Sequence, residues 1–230
     1  MKKRLFLLMA LASCIVAQTF EVATIHPSGA DGLLLIKATP GGRLSAVNVS
    51  LKTLVRVAYR VSVPQIVGPD WMAETRFDIT AKGDAEDVSL AVMAPKIRKL
   101  LADRFGLKVH EENAIRTALV LTNGARIVPS EGGDAILHMF RSGLTGRNIA
   151  MDEFARGLSD ATGDLYVDET GFKGRFDVDI RWSLLPAELA DQDSSLTTVL
   201  REKFGLEVKA RKASAVTLVI DHAEKNPTAN

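Results

Sequence analysis

Leu44-Ser-Ala-Val-Asn48-Val-Ser-Leu51 returns 100 residues later as Leu144-Thr-Gly-Arg-Asn148-Ile-Ala-Met151. Further matches follow in the same order at a shift of 99. Arg76-Phe77-Asp78-Ile79 pairs with Arg175-Phe176-Asp177-Val178, and Phe105-Gly106-Leu107-Lys108-Val109 with Phe204-Gly205-Leu206-Glu207-Val208. Leu119-Val120-Leu121 pairs with Leu218-Val219-Ile220. The slip of one residue falls between Ala58 and Arg76, a Pro- and Gly-containing stretch where loops absorb deletions. In-order matches of this kind point to an internal duplication, and a repeat of this period decides the fold before any motif is weighed.

The two copies predict the same elements. Leu51, Leu54, Val55 and Ala58 recur with helical spacing behind Ser50, a suitable N-cap, and Met151, Phe154, Ala155 and Leu158 repeat the face. A second helix carries Ile97, Leu100, Leu101 and Phe105, mirrored by Leu196, Val199, Leu200 and Phe204. Gly106 and Gly205 follow as C-terminal stops, and Pro95, opposite Ser194, reads as a helix start. Alternating runs predict strands at Arg76–Thr80, Leu107–Glu111 and Thr117–Leu121, and at Arg175–Ile180, Leu206–Ala210 and Val216–Ile220. Each copy therefore reads as an α+β unit: strand, helix, strand, strand, helix, strand, strand, with helices on one face of a small mixed sheet. The first unit spans 18–123 and includes added strands at Phe20–Ile25 and Leu33–Lys37. Residues 124–133, with Pro129 and Gly132-Gly133, form the connection, and 134–230 form the second unit.

Met1-Lys-Lys-Arg4, the apolar run Leu5–Ala12 and the small residues that follow read as a secretory signal peptide, too short for a spanning helix. Two cleavage outcomes stand open. Leu11-Ala12-Ser13-Cys14 matches a lipobox, making 1–13 the leader and Cys14 a lipidation site. Ile15-Val16-Ala17 before Gln18 offers an ordinary cut after residue 17. The expected location is periplasmic or extracellular, or the membrane through a lipid at Cys14. The chain carries 29 Lys and Arg against 28 Asp and Glu. Losing the leader's three cations and no acids leaves it mildly acidic, so no global field marks a nucleic-acid binder. Hydrophobic residues at 47% and charged ones at 25% exclude a disordered or collagen-like chain, and the single Cys excludes an internal disulfide.

Signatures of chemistry are sparse. His26, His110, His138 and His222 are scattered without metal-ligand spacing, and surface or edge positions are expected for them. No Gly-x-Ser-x-Gly elbow occurs. Asp78 and Asp177 occupy equivalent places, but Arg-Phe-Asp alternates along a strand with Phe inward and the charges outward. Pro40-Gly41-Gly42 reads as a turn, and Lys96, Arg98, Lys99 and Arg104 as a solvated helix face. Trp71, read in a loop, is either a partner contact or a cap on the core. Catalytic, cofactor and metal sites are therefore expected to be none.

Several stretches resemble one family: Phe20-Glu-Val-Ala-Thr-Ile-His-Pro27, Gly68-Pro-Asp-Trp71, Leu100-Leu-Ala-Asp-Arg-Phe-Gly-Leu-Lys-Val-His110, Val167-Asp-Glu-Thr-Gly-Phe-Lys-Gly-Arg-Phe-Asp177 and Leu218-Val-Ile-Asp-His222. Together they look like the soil-associated exported proteins of unknown function, a paralogue-rich family of soil bacteria. The resemblance implies export and no assigned activity. Related domains beside membrane metallopeptidase sensors of the antirepressor type imply an extracytoplasmic sensing or binding role. This chain lacks His-Glu-x-x-His, and where relatives often carry Pro-Val-Tyr it has Ala114-Ile-Arg-Thr-Ala-Leu119. The alternation of elements is also similar to the short N-terminal domains of secretins and TonB-dependent receptors, at the level of fold alone.

The expected function is a non-catalytic envelope module binding a protein or peptide, without cofactor or nucleic acid. The alternatives are a sensor domain working with a membrane partner, and a hydrolase using Asp78, Asp177 or His110 between the copies.

Overall fold

Ser50 ends one strand and caps the next helix in a single step, and much of the first half follows from that junction. The computed structural model describes residues 19–29, 32–84, 89–140, 142–183 and 195–228. Residues 1–18, where the leader and Cys14 are expected, lie outside them. Strand β3 (Arg43–Ser50) runs directly into helix α1 (Leu51–Tyr59), whose first turn is held by the Thr53 N–H donating 3.2 Å to Ser50 Oγ. Leu51, Leu54, Val55 and Ala58 are buried, as their spacing requires. In the second half β8 (Gly143–Ala150) runs into α4 (Met151–Thr162). Ala150 has no side-chain oxygen there, and Glu153 Oε2 instead reaches back to accept from the Ala150 N–H at 3.0 Å.

Asn48 and Asn148 explain why the opening stretch recurs. Both adopt left-handed backbone, at φ 54° and 48°, which asparagine tolerates better than most residues. Each sits at a bulge where its strand slips against its partner, β5 (Arg76–Lys82) or β10 (Arg175–Arg181). Asp78 Oδ1 accepts from the Asn48 N–H at 2.8 Å, and Asp177 Oδ1 from the Asn148 N–H at 2.9 Å. The asparagine side chains donate in turn to the Gly32 and Gly133 carbonyls. The repeated Asn and Asp are thus two ends of one backbone clasp, and Phe77 and Phe176 beside them are buried.

Around these junctions β1 (Val22–Pro27), β5, β3 and β2 (Leu35–Thr39) form an antiparallel sheet in that order. The second half forms β10, β8 and β7 (Ile136–Phe140). Helices α3 (Leu90–Phe105) and α5 (Leu196–Phe204) close on Gly106 and Gly205, both in left-handed backbone at φ 57° and 69°. Pro95 lies inside α3 rather than at its start. Ser89 is the cap, accepting from the Val92 N–H at 3.3 Å, so α3 is 16 residues long against nine for α5. Trp71 likewise opens a short helix, α2 (Trp71–Glu74), where a loop is expected from sequence, and it packs partly buried on the first core.

The α+β class holds. The strand pairing adds what alternation alone does not reveal. The paired short strands expected after each second helix are single long strands, β6 (Lys108–Asn123) and β11 (Leu206–His222). They pair antiparallel with each other throughout, from Leu206 opposite Asn123 to His222 opposite Lys108. Ile115 pairs with Ser214, 99 residues on, the same offset that separates Phe105 from Phe204. The shorter strands cross over. Strand β4 (Ile66–Val67) lies parallel to β11, and β9 (Tyr166–Asp168) lies parallel to β6. Leu218 and Ile220 consequently belong to the core of the first half, and Leu121 to that of the second. Burial of such side chains stabilises each half by about 1.5–3 kcal/mol apiece.

Candidate ligand groove between the two halves

Helices α1 and α4 face each other across the boundary. Arg56, in the last turn of α1, donates from Nη1 to Asp160 Oδ2 at 2.7 Å, and both side chains are largely buried. Asp160 Oδ1 accepts from the Val63 N–H at 2.9 Å, so one carboxylate latches both the helix and the turn after it. Arg60, in left-handed backbone at the end of α1, reaches Glu153 Oε1 at 3.0 Å, and Arg175 reaches Glu153 Oε2 at 3.3 Å. Arg156 pairs with Asp152 at 2.7 Å. Burial works to raise the Asp152 carboxyl. The Arg156 guanidinium, the Glu153 backbone N–H and the Arg60 charge outweigh it and hold the group below its ordinary value.

Between these pairs lies a groove of about 310 Å³, floored by Val57, Val61 and Leu90 from the first half and Ile136, Leu137 and Met139 from the second. Gly157 permits the close approach, since a Cβ there would meet Leu137 Cδ2 at 3.0 Å. A more polar hollow of about 410 Å³ adjoins it, lined by Gln65, Tyr166, Asp168 and Ser214 among others. Burial, with help from the Asp164 charge, pushes the Tyr166 phenol up to about 12 against a hydrogen bond to Thr162. Tyr166 is therefore neutral at physiological pH. An apolar cleft with a few convergent polar groups at an internal boundary is the usual form of a small-ligand or peptide site.

Residues singled out from sequence do not line this groove. Asp78 and Asp177 lie on different sheets, each engaged by a backbone amide. His110 Nδ1 lies 2.8 Å from Asp221 Oδ1 on the exposed surface of the central sheet. The three hydrolase candidates are therefore not brought together. All four histidines are exposed, and among the described residues no group of three or more His, Cys, Asp or Glu side chains is arranged to hold a metal ion. The basic face of α3 departs from its expected solvation. Lys96 is buried against Asp84 at 2.6 Å, Arg98 donates to the Ala58 carbonyl at 2.6 Å and stacks over Tyr59, and Arg104 donates to the Thr228 carbonyl at 2.8 Å. Lys99 pairs with Asp103 one turn on. The groove itself escapes sequence reasoning because its lining comes from separate segments, from Arg56–Val61 to Glu153–Asp160. The one available signal is the equivalence of the helix faces that carry Arg56 and Asp160.

No helix among the described residues is long and apolar enough to cross a membrane. Residues 52–223, from α1 to the end of the central sheet, match the family described as protein of unknown function (DUF3738), and the chain belongs to it. No curated protein and no solved structure matches the chain.

Proposed function

We propose that this DUF3738 member is an exported envelope protein that works by binding rather than by catalysis, with the groove between α1 and α4 as its ligand site. One observation carries the reading: apolar side chains from both halves converge on a cleft whose rim charges are already matched within the protein. Such a site selects apolar groups, because its arginines and carboxylates are engaged with each other. Export rests on the cationic start and short apolar run of residues 1–17. Anchoring through Cys14 and release after residue 17 leave N-termini of different mass, which intact-mass measurement of protein recovered from the producing cell separates.

The groove is tested with an uncharged apolar fluorophore, N-phenyl-1-naphthylamine, and a panel of uncharged peptides, against the protein and a Val57→Trp variant, in which the partly buried Val57 of the groove lining is enlarged. Binding and a raised Tm in the first, lost in the second at unchanged fold, support the site. Ligands indifferent to Val57→Trp overturn it.

A further inference from the structure

Resting on that reading, we infer that the groove takes its ligand as an added β-strand: an extended, uncharged peptide segment with apolar side chains at alternate positions, hydrogen-bonded to the outer edge of β7. Three observations converge. First, β7 is an edge strand, paired with β8 on one side and with no strand on the other among the described residues. An edge of this kind presents a row of backbone N–H and C=O groups ready for pairing.

Second, β7 carries no Asp, Glu, Lys or Arg; its titratable side chain is His138, and Arg181 of β10 stacks over the Phe140 ring. Ile136, Met139 and Phe140 are 45%, 40% and 49% exposed, and Ile136, Leu137 and Met139 also form one wall of the groove. A strand laid along β7 would turn every second side chain towards Val57, Val61 and Leu90 on the opposite wall. Third, the ionised groups around the groove are matched internally, Arg56 with Asp160, Arg60 with Glu153 and Arg156 with Asp152. With those charges compensated, the unpaired backbone of β7 adds a row of main-chain donors and acceptors along the apolar wall. Apolar walls beside an unpaired backbone edge fit an uncharged extended peptide, recognised by main-chain bonds for affinity and by alternate side chains for specificity.

The other apolar edge supplies an internal control. Strand β2 ends its sheet in the same way, with Leu33, Leu34 and Leu35 exposed, but it contributes no residue to the groove. The inference places the peptide on β7 and not on β2.

The experiment uses the purified protein and a capped hexapeptide, Thr-Val-Thr-Leu-Thr-Val, followed by amide chemical shifts. Saturable shifts in Ile136–Phe140 and in Val57 and Val61 are expected. N-methylation of one alternate set of peptide amides should weaken binding by about tenfold or more, and of the other set hardly at all, because only one set faces β7. Equal effects of both sets, or shifts on β2 in place of β7, overturn the strand. Shifts in β7 that follow protein concentration without peptide would make a second copy the occupant and also overturn it. If the fluorophore enters the groove and the peptide does not pair with β7, the strand inference fails alone. If neither enters, the groove reading has failed with it.

Discussion

The first half closes its sheet on β5 with its own N-terminal strand, and among the described residues the equivalent flank of β10 is met by a single bridge. In the first, β1 pairs with β5 from Val22 opposite Lys82 to Pro27 opposite Phe77, and the Ser28 N–H donates to the Arg76 carbonyl. In the second, the last rung is what the described residues retain: Pro129 bridges Phe176 and the Ser130 N–H donates to the Arg175 carbonyl. Equivalent basic residues register the difference. Arg104 contacts the Ala23 carbonyl of β1, whereas Lys203, its counterpart, donates at 2.7 Å to the Asp179 carbonyl of β10 itself. The clasp, the helices and the aromatic core persist in both halves, so the framework does not depend on its outermost strand. What that strand changes is how much edge is left for other contacts.

Four measurements would break or sharpen this comparison. The largest effect is expected where one half is walled by the other. Leu218→Ala should cost about 2–5 kcal/mol. It should also speed amide exchange in β3 and β5 as well as in β11, because Leu218 is wholly buried in the first core. Exchange that rises only in the second half would mean the halves are separable. Ile25→Ala, removing the buried anchor of β1, should cost about 2–4 kcal/mol in chemical denaturation. Ile127, which stands two residues before Pro129 as Ile25 does before Pro27, is only partly buried, and Ile127→Ala should cost clearly less. Equal losses would show that the flank of β10 is sealed after all.

The latch between the halves comes next. Asp160→Ala strands Arg56 and the Val63 N–H, and about 1–3 kcal/mol should be lost. A double-mutant cycle with Arg56→Ala should show coupling, and strict additivity would remove the latch from the account. The smallest effect is on pH dependence. The Asn148 N–H first, then the Ser130 hydroxyl and the Arg147 charge, hold the Asp177 carboxyl below its ordinary value despite a minor opposing effect of burial. A carboxyl depressed by folding contributes stability that is complete above its unfolded value, about pH 4, and is lost as pH falls through the folded one. Asp177→Asn should therefore flatten the acid-side fall in the urea midpoint. An unchanged slope would contradict the role of the clasp in that fall.

Much of the architecture is legible in residue types. Ser50, Gly106 and Gly205 mark helix ends because capping and left-handed backbone are local requirements. Phe77 and Phe176 are identified as inward-facing because alternation on a strand is local too. The exchange of β4 and β9 is not legible, since Ile66 and Leu218 are 152 residues apart and no periodicity specifies which distant strand a short one joins. The stretch from Glu112 to Arg116 reads as a gap between two strands. It is the middle of one long strand, held by β11 along its edge and exposed because it spans the space between two cores. The groove is hidden for the same reason: Arg56 and Asp160 are ordinary surface types until folding sets them face to face.

The exchanged strands also set an order of assembly. The first core lacks Leu218 and Ile220 until nearly the whole chain has been synthesised, although most of its other residues emerge in the first half of translation. Contacts over such separations are slow to form, because the loop between them must close first. A ribosome-bound fragment ending near Asn123 would have β1, β3 and β5 ready to pair but one wall missing. One wall of the first core is therefore supplied only when the last strand arrives.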